Sequence, residues 1–271
     1  MRGVRTGRDT MNWNNRELEQ PCTRAKGNQV TGHPPSDAPR AAEIAAGLTE
    51  VRERIDRACA QAGRPAGSVR LVVVTKTFPS TDIRLLHDLG CVEIAENKDQ
   101  EARQKSADLE GLTPPMRWHM IGQVQRNKAR AVATWADVVE SVDRLALAQA
   151  LSAGAVAAGR SIDVLMQVSL DPEPADSRGG VRPADLPALA SSVARLPGLI
   201  LRGVMGIAPY PGDPDRAFRT LETVAEKLVA EVPGADVISA GMSGDLEHAI
   251  RHGATQVRVG GAVLGKRANV R

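Results

Sequence analysis

Apolar residues along this chain gather in eight short runs, at 71–75, 92–95, 118–121, 138–142, 162–168, 199–207, 236–240 and 256–259. Their length and their content of valine and isoleucine suit strands buried on both faces. Segments of helical spacing lie between them: Ile83-Leu86-Leu89, Leu145 to Ala157, Leu186 to Leu196, Phe218 to Val229 and Leu246 to Ile250. Turn formers separate the two kinds of segment at Pro79, Pro114-Pro115, Pro197-Gly198, Pro209 to Pro214 and Pro233-Gly234. Regular alternation of this sort predicts parallel strands joined by helical crossovers. Eight repeats in about 200 residues predict an α/β fold, a single-domain (β/α)8 TIM barrel. A doubly wound sheet would show the same periodicity.

Ahead of the first run, Ile44, Leu48, Val51, Ile55 and Ala58 predict an N-terminal helix over Ala42 to Ala62, with order beginning near Asp37-Ala38-Pro39. Residues 1–38 carry no periodicity and are rich in Asn, Gly, Pro, Arg and Thr, which predicts a disordered extension, or a segment translated from an upstream start codon. The barrel is accordingly expected over 39–271.

The net charge of +3 changes meaning once it is located. Residues 1–40 hold seven basic and four acidic side chains, so 41–271 is balanced at 28 of each. A neutral barrel with 2% aromatic residues offers neither a polyanion surface nor stacking platforms, and argues against nucleic acid as a partner. No apolar run approaches a membrane span and no apolar stretch follows the basic N-terminal residues, so neither a membrane anchor nor a secretory signal is expected. Cys22, Cys59 and Cys91 are widely spaced, which disfavours a disulfide framework or zinc site and suits a reducing cytoplasm.

Barrel chemistry sits at the carboxyl ends of the strands. The first strand, Leu71-Val72-Val73-Val74-Thr75, is closed by Lys76. Partial desolvation at such a position lowers an amine's pKa and makes Lys76 a candidate Schiff-base lysine. The alternative is a strand-end lysine that snorkels to solvent. The second strand ends in Glu96-Asn97, the third carries His119 and leads into Gln125, Asn127 and Lys128, the fourth ends near Glu140-Ser141, and the sixth ends at Met205. Gly241-Met242-Ser243-Gly244 follows the seventh strand, and Gly260-Gly261 follows the eighth. Glycines let backbone approach a ligand, helix-start amides point outward, and loops seven and eight are where this barrel binds phosphate. Each loop alone is equally a tight turn or cap. Arg258, inside an apolar strand, either faces outward with its guanidinium at the surface or paired with an acid, or holds a ring nitrogen or an anion. His119 is equally a structural histidine bonded to backbone. Arg126, Lys128 and Arg130 suit a solvated face, and a Ser243–His248–Asp245 triad lacks the strand–turn–helix context of a nucleophile elbow.

Together the segments Val74-Thr75-Lys76-Thr77, Glu96-Asn97, Trp118 to Lys128, Ser141-Val142-Asp143, Leu201 to Pro209, Gly241 to Ile250 and Val257 to Gly265 resemble the pyridoxal-phosphate homeostasis protein family, whose barrel is similar to the N-terminal domain of alanine racemases. The resemblance runs from about residue 40 to 267. It implies that Lys76 holds pyridoxal 5′-phosphate as a Schiff base. It further implies that Ser243, Gly244, Gly260 and Gly261 surround the phosphate, Arg258 lies near the pyridine nitrogen, Asn97 lies near the ring substituents, and Met205 and His119 line the pocket. Two positions depart from the family pattern. Ala95 replaces a usual glycine, where a methyl either tightens the turn or is tolerated by a strand-like φ, and Gly261 replaces a usual threonine or serine, which removes one hydroxyl donor.

Carbanion chemistry with this cofactor normally uses a carboxylate that keeps the pyridine nitrogen protonated. An arginine there is always charged and only donates, so the electron sink is weak. Alanine racemases resemble this arrangement but add a tyrosine base on a separate domain, for which no room is expected after this barrel. The sole tyrosine, Tyr210, follows the sixth strand and is read as a lid residue or as packed on the barrel rim. The expected function is a non-catalytic carrier, monomeric and cytoplasmic, that controls free pyridoxal phosphate and can supply apoenzymes that use it. The alternatives are a weak single-domain racemase and a Schiff-base aldolase acting on a sugar phosphate.

Overall fold

The computed structural model describes residues 37–171 and 179–265. The extension expected over 1–38 therefore lies, but for its last two residues, outside the described residues. Asp37 and Ala38 already stand at the start of the first helix, α1 (Ala38–Gln61).

Eight parallel strands close into a barrel in sequence order: β1 (Arg70–Val74), β2 (Glu93–Glu96), β3 (Arg117–Met120), β4 (Val138–Val142), β5 (Ile162–Val168), β6 (Leu199–Gly206), β7 (Val237–Ser239) and β8 (Gln256–Val259). Closure is made by β1 pairing with β8, in the register Val73↔Val259. Each strand falls within a residue or two of its apolar run, because strands buried on both faces must be nearly continuous in apolar side chains.

The crossovers are α2 (Ser80–Asp88), α3 (Asp99–Asp108), α4 (Ala129–Val132), α5 (Leu145–Ala157), α6 (Leu186–Val193), α7 (Pro214–Glu231) and α8 (Leu246–Arg251), with a last turn, α9 (Gly261–Leu264), after β8. The helices expected from spacing are α1, α2, α5, α6, α7 and α8. Apolar spacing does not reveal α3, because its buried positions are only Ala102 and Lys105.

Side chains alternate between two environments. Val73, Ile94, Val139, Val164, Met166, Val257 and Val259 belong to the large core between strands and helices. Val72, Val74 and Ala95 form a separate small cluster inside the barrel, with Ile121 against it. Ala95 is fully buried in that cluster with an ordinary strand conformation, so its methyl packs on Val72 and Val74 and strains no turn.

Helix α1 braces the carboxyl side of the barrel. Its Arg40 donates to Asp82 of α2 at 2.6 Å and to the Leu264 carbonyl at 2.9 Å, with its guanidinium 6.0 Å from the Phe78 ring. Arg54 donates to both Glu247 carboxylate oxygens at 2.8 and 3.0 Å and to the Ser243 carbonyl at 3.1 Å. At Gly47 the helix meets α9 so closely that an added Cβ would lie 2.4 Å from the Val263 carbonyl oxygen. Alanine at a helix interior is favoured over glycine by roughly 0.5–1 kcal/mol, whereas overpacking against rigid backbone costs about 1–3 kcal/mol. Gly47→Ala is therefore expected to lower the urea midpoint despite its better helix propensity. An unchanged or raised midpoint would show that α1 is free to shift off α9.

Candidate functional site

The pairing of β1 fixes where its carboxyl end meets its neighbours, with Lys76 in the turn that follows, Asn97 just past the end of β2 and Gly260-Gly261 just past the end of β8. The anchors are Val74↔Ala95, the Thr75 amide donating to the Ala95 carbonyl at 3.0 Å, and Val73↔Val259. Arg258 follows the same rule toward β7, its amide donating to the Gly241 carbonyl at 2.9 Å. Lys76, Asn97, Gly260, Gly261 and the 241–244 loop thus share the carboxyl rim of four successive strands, β7-β8-β1-β2, with Arg258 just beneath it. Met205, buried near the end of β6, extends that arc. The groove between α6 and α7, lined by Pro183, Pro187, Thr220 and Lys227, lies on the outer wall and includes none of these residues.

The two glycine loops differ in what they require. A Cβ on Gly260 would lie 2.9 Å from the Val74 carbonyl oxygen, so glycine is needed for the rim to close. Gly241 has φ +92 and a Cβ there would press on Ala249 and the Leu246 backbone. Around Gly244 and Gly261 nothing lies within 4 Å of an added Cβ. Both turns open short helices, so their first amides have no intrahelical acceptor. The Asp245 carboxylate takes the Met242 amide at 2.6 Å and fixes the 241–245 turn. Ser243 is exposed, as are Gly244, Gly261 and Asn97.

Beneath the rim, the barrel interior is polar. Arg258 is 4% exposed. Its Nη1 donates to Ser239 Oγ at 2.5 Å and its Nη2 to the Gly206 carbonyl at 3.0 Å, while Nε has no hydrogen-bond partner among the described residues. Ser239 Oγ donates to Glu140 Oε2 at 2.6 Å, and Gln256 Nε2 donates to Glu140 Oε1 at 2.9 Å. His119 stands between two carboxylates, Nδ1 2.7 Å from Glu140 Oε1 and Nε2 2.6 Å from Glu93 Oε2. The expected backbone-bonded histidine is replaced by a carboxylate-bonded one. Below Glu93 the chain of charges continues through Arg117 to Asp163, at 3.8 and 2.6 Å.

Burial disfavours the charged imidazole, but its hydrogen bonds to Glu140 and Glu93 outweigh that and raise His119 to about 9. Burial likewise opposes the Glu93 carboxylate, yet His119, Arg70 and Arg117 bring it down to about 2. Glu140 is lowered against full burial by His119, Arg258 and Ser239. Burial pulls Arg258 below its ordinary value, countered by the charges of Glu140 and Asp245.

Lys76 is carried on a turn, with the Phe78 amide donating to the Thr75 carbonyl at 3.0 Å. At its third position Thr77 has φ +70, and Thr77 is the one non-glycine residue with positive φ among those described. A β-branched residue in this region stores on the order of 1–3 kcal/mol and persists only where surroundings impose it. Tyr210 is 89% exposed, so it does not pack on the rim as expected. His248 is engaged by Asp215 of α7 at 2.9 Å, which leaves no triad with Ser243. Arg126, Lys128 and Arg130 are exposed, as a solvated face requires. Sequence reasoning reached Glu140 only as a strand end and missed the roles of Glu93, Ser239 and Gln256. A polar side chain at an inward position of an apolar strand was the available signal.

Because the folded pKa of His119 lies above its unfolded value of about 6.5, its contribution to stability is complete below that pH and is lost as pH rises through about 9. His119→Gln is expected to lower the urea midpoint most at pH 6, with the deficit shrinking by pH 9. An equal deficit at both would mean that the ring is neutral in the fold.

A family model described as alanine racemase, N-terminal domain, matches residues 47–268. A pyridoxal phosphate homeostasis protein of Mycobacterium tuberculosis is 41% identical over 245 residues, 84% of this chain and 94% of the relative. The structure of PipY from Synechococcus elongatus with PLP bound superposes with a TM-score of 0.71 at 35% identity, covering 82% of this chain and all of PipY. Alanine racemase from Corynebacterium glutamicum, at 16% identity and a TM-score of 0.62, shares the barrel alone, over 85% of this chain and 63% of its own. The chain belongs to the pyridoxal phosphate homeostasis protein family.

Proposed function

We propose that this protein is a non-catalytic binder of pyridoxal 5′-phosphate, held at the carboxyl rim as a Schiff base on Lys76, and that it contributes to control of the free cofactor in the cytoplasm. The observation that carries this reading is the convergence of a lysine, a buried arginine and two glycine turns on one arc of the rim.

The residues present fit the group. The arc supplies an amine at Lys76 and outward amides and a hydroxyl at Ser243, Gly244, Gly260 and Gly261 for a phosphate. Arg258 supplies a donor, Nε, that the protein leaves without a partner among the described residues. Asn97 is free to meet ring substituents, and Met205 forms wall. Bound there, the cofactor supplies an electrophilic aldehyde carbon and a ring that can accept electrons.

The rest of the chemistry lies in this chain's own side chains. Arg258 offers its partner only a donor, since its charge is held by Glu140. Glu140 itself is engaged below the rim by Ser239, Gln256 and His119. A ring nitrogen held by this arginine stays unprotonated, which supports storage over carbanion chemistry. Tyr210, the one tyrosine, is 89% exposed in the loop after β6. His119 is buried between Glu140 and Glu93 and acts on the site through Glu140 and Ser239. A monomer that releases the cofactor to apoenzymes completes the proposal.

The decisive measurement is the visible spectrum of the protein titrated with pyridoxal phosphate, beside Lys76→Ala. An imine band in the parent and none in the variant is expected. No band in either would overturn the assignment. Turnover of any member of an amino-acid panel, dependent on Lys76, would overturn the non-catalytic part alone. A second expectation concerns the open space at Gly261. Gly261→Ser adds a hydroxyl without a clash, and a hydrogen bond to a charged group is expected to tighten binding by about tenfold. Unchanged affinity would place the phosphate elsewhere.

A further inference from the structure

Behind β1, on the side away from the barrel interior, three side chains that the cofactor reading does not use are joined to the turn that carries Lys76. Lys105 of α3 is buried. Its Nζ donates to the Thr75 carbonyl at 2.9 Å, to Glu96 Oε1 at 2.7 Å and to Glu101 Oε1 at 2.7 Å. Thr75 Oγ1 donates to the same Glu96 oxygen at 2.6 Å. The Thr77 amide donates to Glu101 Oε1 at 2.5 Å. The backbone is therefore gripped immediately before and immediately after Lys76, by charged groups that do not face the rim.

Two features show that this grip is exerted against resistance. Thr77 is held at φ +70, a conformation its side chain disfavours and glycine accepts freely. Glu96 is fully buried, and its second oxygen, Oε2, has no hydrogen-bond partner among the described residues. Burial raises the Glu96 pKa, against the hydrogen bonds from Lys105 and Thr75. A buried ion pair with an orphaned oxygen is weak as a source of stability and serves better to specify geometry.

We propose that Glu96, Lys105 and Glu101 form a clamp that imposes the strained turn at Thr77 and thereby aims Lys76 at the rim, making Glu101 and Lys105 positioning residues of the site. The proposal rests on the reading of Lys76 given above. The clamp explains why α3, with so little apolar surface, is retained beside β2, and why a threonine occupies a turn position suited to glycine.

The test uses the full chain and three variants: Glu101→Ala, Thr77→Gly and the two combined. Glu101 is partly exposed, so its loss leaves the core intact. Losing a hydrogen bond to a charged acceptor is expected to weaken imine formation with pyridoxal phosphate by about tenfold in Glu101→Ala. Adding Thr77→Gly, which takes up the same φ unaided, is expected to restore it to within about threefold of the parent. A Glu101→Ala protein that titrates like the parent, or a loss that Thr77→Gly does not repair, would overturn the clamp. Amide hydrogen exchange of the 75–78 segment without cofactor separates this from the cofactor reading. If the parent forms no imine, the cofactor reading fails. Faster exchange in Glu101→Ala would then still establish the clamp, and unchanged exchange would dismiss it.

Discussion

One buried carboxylate, Glu140, joins opposite walls of the barrel. It accepts from Ser239 on β7 and Gln256 on β8, bonds the imidazole of His119 on β3, and is the nearest counter-charge to Arg258. An arginine at 4% exposure cannot shed its proton to escape burial. Removing one partner of such a buried pair costs about 3–5 kcal/mol, because the survivor stays charged in a dry interior. Arg258 holds its place under the rim because Glu140 holds its charge, and Glu140 stays ionised because His119 and Arg258 flank it.

This polar column gives the barrel two unlike halves. Toward β1 and β2 the interior is Val72, Val74 and Ala95, a small apolar patch under Lys76. Elsewhere it is a chain of alternating charge running from Asp163 on β5 through Arg117, Glu93 at the start of β2, His119 and Glu140 to Arg258. A lysine above apolar wall and an arginine above a carboxylate offer different chemistry within one mouth. The first suits covalent capture, and the second suits a fixed donor. Helix α1 holds both glycine turns from outside through Arg40, Gly47 and Arg54, so the mouth is braced by an element that precedes the barrel.

Support for the site comes from groups that never touch it. Glu101 and Lys105 act on the backbone around Lys76, His119 acts through Glu140, and Arg54 acts on the Ser243 carbonyl. This division is physically reasonable. Groups at the rim must stay available to a ligand, so the hydrogen bonds that fix them have to come from behind or below.

Strand positions, the barrel and the rim residues Lys76, Asn97, Ser243, Arg258, Gly260 and Gly261 were legible in the chain, because periodicity and turn chemistry are local and parallel βα order admits few closures. The near-absence of apolar spacing in α3 hid a helix whose buried face is Lys105 rather than leucine. Polar residues such as Glu93, Ser239 and Gln256 looked unremarkable in sequence, since nothing local says whether an alternate position faces the interior or who waits opposite. The same holds for Tyr210, read as a lid residue or as packed on the rim and found 89% exposed. Sequence by itself determined which strands form and which chemistry they carry to one end. Only tertiary structure decided which charges pair, because hydrogen bonds between residues 99 or 116 positions apart exist only after the barrel closes.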